Sequence, residues 1–191
     1  MEVFFQRKIS VETIKKYFNM FSEIAFHFYK DFHEKTILTG HIEIDETCLY
    51  KRKKSKATGR PYVYSDIWII GFKPRNSKLF LVFPVKERKA EVFLPLLLKH
   101  VDPQNSIIYT DSFSVYVNNQ VKPQVSKLQY WGYNHYFTNH SLTFVNNIFS
   151  HIHTNTVERL WRSMKEHIKI HKPKRTYEYC IGRFFFHQML F

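Results

Sequence analysis

Three acidic residues stand out in a chain of 191 residues whose formal net charge is +13. They are Asp45 in His41-Ile42-Glu43-Ile44-Asp45-Glu46-Thr47, Asp111 in Ile107-Ile108-Tyr109-Thr110-Asp111-Ser112, and Glu158 in His153-Thr154-Asn155-Thr156-Val157-Glu158-Arg159. The first two close short apolar runs of strand type. The third lies one turn into a helical pattern. A basic protein that sets carboxylates at strand ends has an obvious use for them, which is to hold hard divalent cations beside a phosphate backbone. Phosphodiester hydrolysis or transfer needs an activated water or 3′-hydroxyl and a stabilised leaving oxyanion. Two Mg²⁺ ions about 3.5–4 Å apart supply both. Mg²⁺ prefers carboxylate oxygens and keeps several waters, so two or three acids suffice. Asp45 would bridge the ions from a rigid central strand, and Asp111 and Glu158 would each complete one.

The elements that must position these acids follow from periodicity. Residues 8–32 repeat apolar side chains at three- and four-residue steps and read as a helix, with Ser10 as N-cap. Residues 33–40 read as a polar connector ending in Gly40. Residues 41–50 read as a strand, 51–60 as a basic loop, and 63–73 and 78–86 as two further strands joined by a turn at Pro74-Arg75-Asn76-Ser77. A helix over 89–101 contains Pro95 near its start. Asp102-Pro103-Gln104-Asn105 breaks it, and a buried strand over 106–110 leads to Asp111. A short helix over 112–120, an irregular stretch over 121–131 and a fifth strand over 133–138 follow. A polar loop precedes a helix over 154–171, which Pro173 stops, and a last helix begins at 174. Its apolar end, Phe184 to Phe191, suggests truncation or a docked terminal helix. The order is mixed α/β. The fourth strand follows a crossover helix and so lies parallel to the first. That places Asp45 and Asp111 at one crevice, where ligands of open α/β sheets bind.

On the 154–171 helix, Asn155, Glu158, Arg162, Lys165 and Lys169 share one stripe, and Val157, Leu160, Trp161, Met164 and Ile168 form an apolar one. The apolar stripe would dock the helix on the sheet and let the polar stripe border the crevice. Plainer readings stand beside this. Asn155 and Glu158 fit a capping box, Asp111 fits a helix cap, and Asp45 fits a solvated strand end. The functional reading rests on the three occurring together.

Composition narrows the class. Lys and Arg number 29 against 16 Asp and Glu, and such a surface attracts polyanions, nucleic acid first. Cys48 and Cys180 are far apart, so they build neither a disulfide framework nor a zinc ribbon. No apolar run approaches the roughly 18 residues of a membrane span, and the N-terminus lacks a signal peptide. The sequence therefore reads as soluble and intracellular. Aromatics make up 18% and read as a large core ahead of base-stacking platforms, Trp131 and Trp161 included. No P-loop, G-x-G-x-x-G or G-x-S-x-G motif occurs. His135, His140, His151 and His153 fit no common zinc spacing. Lys51, Arg52, Lys53 and Lys54 read either as a DNA contact beside the first acid or as a solvated loop.

These stretches resemble the DDE transposase domain of the IS1595 (ISXO2-like) insertion sequences and the related Merlin DNA transposons. The resemblance is carried by Ile42-Glu43-Ile44-Asp45-Glu46-Thr47, Tyr109-Thr110-Asp111-Ser112, Gly132-Tyr133-Asn134-His135 with Asn139-His140-Ser141, and His153-Thr154-Asn155-Thr156-Val157-Glu158 with Trp161 and Lys165. It runs from about Gly40 to about Phe186. It implies an RNase H-like α/β fold, with a mixed five-stranded sheet flanked by helices. It implies a catalytic domain over 40–191, preceded in 1–39 by the remnant of a DNA-binding module. It also implies Mg²⁺ dependence, with Mn²⁺ as substitute and two ions, and metal-dependent cleavage and strand transfer of transposon ends. Double-stranded DNA is the implied substrate and a homodimer the implied assembly. Asp45, Asp111 and Glu158 are carried over as metal ligands. Parts of the family read the third position as Asn, here Asn155, with Lys165 as companion. A carboxylate is the better Mg²⁺ ligand, which favours Glu158. Arg162, Lys165 and Lys169 join the basic loop as DNA contacts. A DNA-binding protein without catalysis and an RNase H-like nuclease are the alternatives. The compartment follows the host: nucleus in a eukaryote, nucleoid and cytoplasm in a bacterium.

Overall fold

A computed structural model describes residues 9–50, 67–138, 152–170 and 177–190. The chain divides into two compact units, Thr36–Glu166 and Met1–Lys35 with His167–Phe191. The larger unit is built on a five-stranded mixed sheet. Its strands are β1 (Leu38–Tyr50), β2 (Ile67–Pro74), β3 (Leu81–Val85), β4 (Val101–Asp111) and, after the two short strands β5 (Val117–Asn118) and β6 (Val125–Ser126), β7 (Asn134–Thr138). The spatial order is β3-β2-β1-β4-β7. The first three strands form the expected antiparallel meander. β4 and β7 add in parallel, because a crossover through helix α2 (Ala90–His100) returns the chain to the same end of the sheet. This is the RNase H-like arrangement.

Alternation along β1 separates two faces. Ile42 and Ile44 are fully buried, and Ile44 pairs with Phe72, whose ring meets Phe93 of α2 edge-on at 6.0 Å. Glu43 and Asp45 point to the other face, where helix α3 (Asn155–Ile170) lies. Val157 and Met164 are fully buried there, and Leu160 and Trp161 nearly so, as the apolar stripe requires. Pro95 sits in the second turn of α2; its missing N–H would have reached Glu91, and the rest of the ladder carries the helix through.

Some expectations change. The connector over 33–40 is shorter, because α1 runs on to Lys35 and β1 begins at Leu38. Gly40 lies inside the strand with φ of 83°, at the point where the β1–β4 register shifts. The turn at Asp102–Asn105 is absorbed into β4. Val101 pairs with Leu38, the register jumps, and pairing resumes at Ser106 with Gly40. The Asp102 carboxylate accepts from the Gln104 N–H at 2.9 Å, which holds the intervening residues as a local turn. No helix forms over 112–120. The Phe113 N–H bonds back to the Asp111 carboxylate at 2.9 Å and starts a turn that leads into the small β5–β6 ribbon. Trp131 is half exposed rather than core, because it ends a 3-10 turn that Gly132 closes at positive φ.

In the smaller unit, α1 (Val11–Lys35) packs on α4 (Tyr177–Leu190). Ser10 caps α1 as expected, accepting from the Thr13 N–H at 3.1 Å. The two helices approach closely at Gly182, where an added Cβ would lie 2.8 Å from the Phe26 Cα. Arg183 is buried but bonded to Ser22 Oγ at 2.8 Å. Rings of Phe28, Tyr29, Phe32 and Phe185 fill the seam. The apolar end of the sequence is therefore a docked helix, with Phe184 and Phe185 buried.

Candidate active site

β1 and β4 pair in register through Glu43 and Tyr109. Two residues further along each strand, on the same face, stand Asp45 and Asp111. α3 brings Glu158 to them. Burial pushes the Asp45 carboxyl up to about 6, and the charges of Asp111 and Glu158 add to the rise. A hydrogen bond from the Trp161 indole N–H to Asp45 Oδ2, at 2.9 Å, opposes it. Glu46, on the next position of β1, is pushed up to about 8 by burial and by Asp45 and Asp111, with Arg88 pulling the other way. Asp45 thus feels the charges of Asp111 and Glu158, while Glu46, on the opposite face of β1, feels those of Asp45 and Asp111.

The rest of the pocket explains how the acids are held. α3 tracks along β1. Trp161 reaches Asp45, and Lys165 Nζ donates to Thr47 Oγ1 at 2.5 Å. The indole fits because its neighbour on β2 is Gly71, which pairs with Asp45. A Cβ there would lie 2.2 Å from the Trp161 ring. The start of α3 departs from the capping box expected at Asn155. The Glu158 N–H bonds to the Thr154 carbonyl at 3.1 Å, so the helix is capped one residue earlier. Thr154 Oγ1 donates to Glu158 Oε1 at 3.1 Å, and Asn155 is exposed. The free N–H groups of Thr156 and Val157 both bond to the buried carboxylate of Glu43, at 2.7 and 3.0 Å.

Sequence reasoning assigned no role to Glu43, Arg75, Glu46, Arg88 or Gly71. An acid in an alternating strand reads as solvent-facing, and only the tertiary fold reveals that Glu43 is 0% exposed. Arg88 lies 3.8 Å over the Trp68 ring, from a loop that carries no motif. Of the proposed DNA contacts, Arg162 is exposed and Lys165 half-buried. Lys51, Arg52, Lys53 and Lys54, with His140 and His151, lie outside the described residues, as does the side chain of Lys169. His135 is buried between Thr110 Oγ1 at 2.9 Å and Ser126 Oγ at 2.6 Å. Burial lowers it to about 4, so it is a neutral core histidine. His153 Nδ1 lies 3.3 Å from Glu43 Oε1, without the angle of a hydrogen bond.

The ISXO2-like transposase domain matches residues 37–180. The chain belongs to that family. The match begins just before β1 and ends inside α4, so all of the elements that carry the acids fall within it. No curated protein matches the chain. Among the described residues, no three His, Cys, Asp or Glu side chains are grouped so that they could hold a metal ion; Asp45 accepts from the Trp161 indole and Asp111 from the Phe113 N–H. The chemistry of the donors nonetheless suits a hard cation: they are carboxylates alone, and the charges of Asp111 and Glu158 both act on Asp45. No described helix of this transposase-family chain is long and apolar enough to cross a membrane.

Proposed function

We infer that this transposase-family protein cleaves and joins DNA through a divalent-metal site formed by Asp45, Asp111 and Glu158. The observation that carries the reading is the placement of Asp45 and Asp111 side by side, each two residues beyond the paired Glu43 and Tyr109 of the parallel strands β1 and β4, with Glu158 near enough for its charge to act on Asp45. Bound Mg²⁺ or Mn²⁺ would activate the attacking hydroxyl and neutralise the leaving oxyanion. Asp45 and Asp111 would hold metal from the neighbouring strands β1 and β4, and Glu158 from α3. Glu158 is favoured over Asn155 as the third ligand because a carboxylate is the better Mg²⁺ ligand and its charge acts on Asp45; both residues are exposed on the first turn of α3. Trp161 orients Asp45 by donating to its Oδ2, and the Glu46 N–H also bonds to the carboxylate. Lys165, held by Thr47, supplies positive charge beside the acids. Exposed Arg162, and Lys169 together with Lys51, Arg52, Lys53 and Lys54, would meet the phosphate backbone of double-stranded DNA. A homodimer would bring two DNA ends together, in whichever compartment the host keeps its DNA.

The test is nicking of supercoiled plasmid with Mn²⁺ or Mg²⁺. Asp45→Asn, Asp111→Asn and Glu158→Gln each lose activity, and Asn155→Ala keeps it. Joined products identify a transposase, and nicks without joining an RNase H-like nuclease. A wild type that binds DNA in a salt-sensitive way without nicking it is a binding protein, and the catalytic reading falls.

A further inference from the structure

Glu43 and Arg75 form a buried pair that touches all three acid-bearing elements. Glu43 lies on β1, two residues before Asp45 and on the same face. Its carboxylate accepts from the backbone N–H groups of Thr156 and Val157, and Val157 immediately precedes Glu158 on α3. The Thr156 hydroxyl adds a bond at 3.1 Å. The Arg75 Nε–H donates to Glu43 Oε1 at 2.8 Å, and its Nη2 donates to the His153 carbonyl at 2.7 Å, just before α3. The same guanidinium lies 3.7 Å over the ring of Tyr109, which is two residues before Asp111 on β4. Glu43, Thr156, Val157 and Tyr109 are each one or two residues from an acid, and the His153 carbonyl lies five residues before Glu158.

A carboxylate that is 0% exposed is costly unless every lone pair is used. The partners of Glu43 are nearly all donors, so an acceptor-only group fits and an amide would set N–H against N–H. The carboxylate also fills the positive N-terminus of α3, so incoming phosphate is not drawn to that helix end.

Building on the proposed metal site, we propose that Glu43, braced by Arg75, is a positioning residue that sets the spacing of Asp45, Asp111 and Glu158 and so fixes the affinity for divalent metal. It touches neither metal nor DNA. The clamp acts by register: β1 gives Glu43 then Asp45, α3 gives Val157 then Glu158, and β4 gives Tyr109 then Asp111.

The experiment is Mn²⁺ binding to the full chain without DNA, followed by calorimetry, with folding checked by circular dichroism and melting. Glu43→Gln is expected to weaken Mn²⁺ binding tenfold or more while remaining folded. Arg75→Lys keeps the Glu43 carboxylate but cannot reach Glu43 and His153 together, and is expected to weaken it at least threefold; it decides the matter if Glu43→Gln does not fold. Met164→Ala loosens the docking of α3 elsewhere and is expected to leave Mn²⁺ affinity within twofold. Binding in Glu43→Gln within twofold of wild type overturns the proposal, as does an equal loss in Met164→Ala. If Asp45→Asn loses binding that Glu43→Gln retains, the metal site stands and the clamp falls. A wild type that binds no Mn²⁺ overturns both.

Discussion

The acid-bearing end of the sheet and the α1–α4 pair solve opposite problems. In the helix pair, the buried Arg183 donates to Ser22 Oγ and Cys180 Sγ, the buried His33 bonds to the Tyr29 carbonyl, and aromatic rings fill the rest. At the sheet end, burial and repulsion push Asp45 and Glu46 far above the ordinary carboxylate range. The first region is packed for stability. The second retains an unfavourable charge arrangement, which natural folds keep mainly at functional sites. Each region also has a glycine at a close approach, Gly182 against the Phe26 backbone and Gly71 against the Trp161 ring.

The sharpest separation between the regions comes from the acids. Asp111→Asn should lower metal-dependent nicking by at least about a thousandfold, the scale of several kcal/mol expected for metal catalysis. The same change relieves repulsion at Asp45, so the melting temperature should hold or rise. A drop in both would show that Asp111 is structural. Next comes Gly71→Ala. Its Cβ displaces Trp161, and a shift of roughly 1 Å at the acids should cost on the order of a hundredfold in nicking. Equal activity in this variant would break the link between the indole and Asp45. Gly182→Ala is the matched change in the helix pair. It should cost about 1–3 kcal/mol of stability through overpacking, read by denaturant unfolding, with nicking per folded molecule unchanged.

A pH series sharpens the contrast further. Glu46 is raised from 4.5 to about 8, so between those values the folded chain keeps a proton that the unfolded chain has released. Its contribution to stability is present below about 4.5 and is lost as pH rises through 8. The metal-free protein should melt at a lower temperature at pH 8 than at pH 6.5. Glu46→Gln should flatten that difference; a slope left intact in this variant would assign it elsewhere. The smallest effect belongs to the surface: Arg162→Ala should reduce the salt slope of DNA binding by about one. An unchanged slope would place Arg162 outside the contact.

The sequence pattern carried the parts of the molecule that repeat. Helix and strand periods marked α1, β1, α2 and α3, and the apolar stripe of α3 foretold its buried Val157, Trp161 and Met164. Asp45 and Asp111 were legible because each follows an apolar run, although β1 continues past Asp45 to Tyr50 while β4 ends at Asp111. Glu43 was not, since its partners Thr156 and Val157 are more than a hundred residues away. The misplaced helix over 112–120 has a specific cause. An Asp followed by polar residues is a helix-start signal, and here the Asp111 carboxylate instead closes a tight turn onto Phe113. The capping box at Asn155 failed for a related reason: the local rule is satisfied within the segment, whereas the fold supplies the cap from another strand.

β1 pairs with β2 from Ile42 to Tyr50 but with β4 only as far as Glu43. Mechanically it is a beam clamped on both sides only around Ile42 and Glu43 and on one side beyond them, and Asp45 sits just past the end of that double clamp. Such a beam resists shear where it is doubly clamped and yields laterally near its tip. The first acid can then follow a cation or a phosphate sideways by small displacements while its height along the sheet stays fixed. In amide exchange, Ile42 would be among the slowest protons of the strand, and protection would fall off from Asp45 outward.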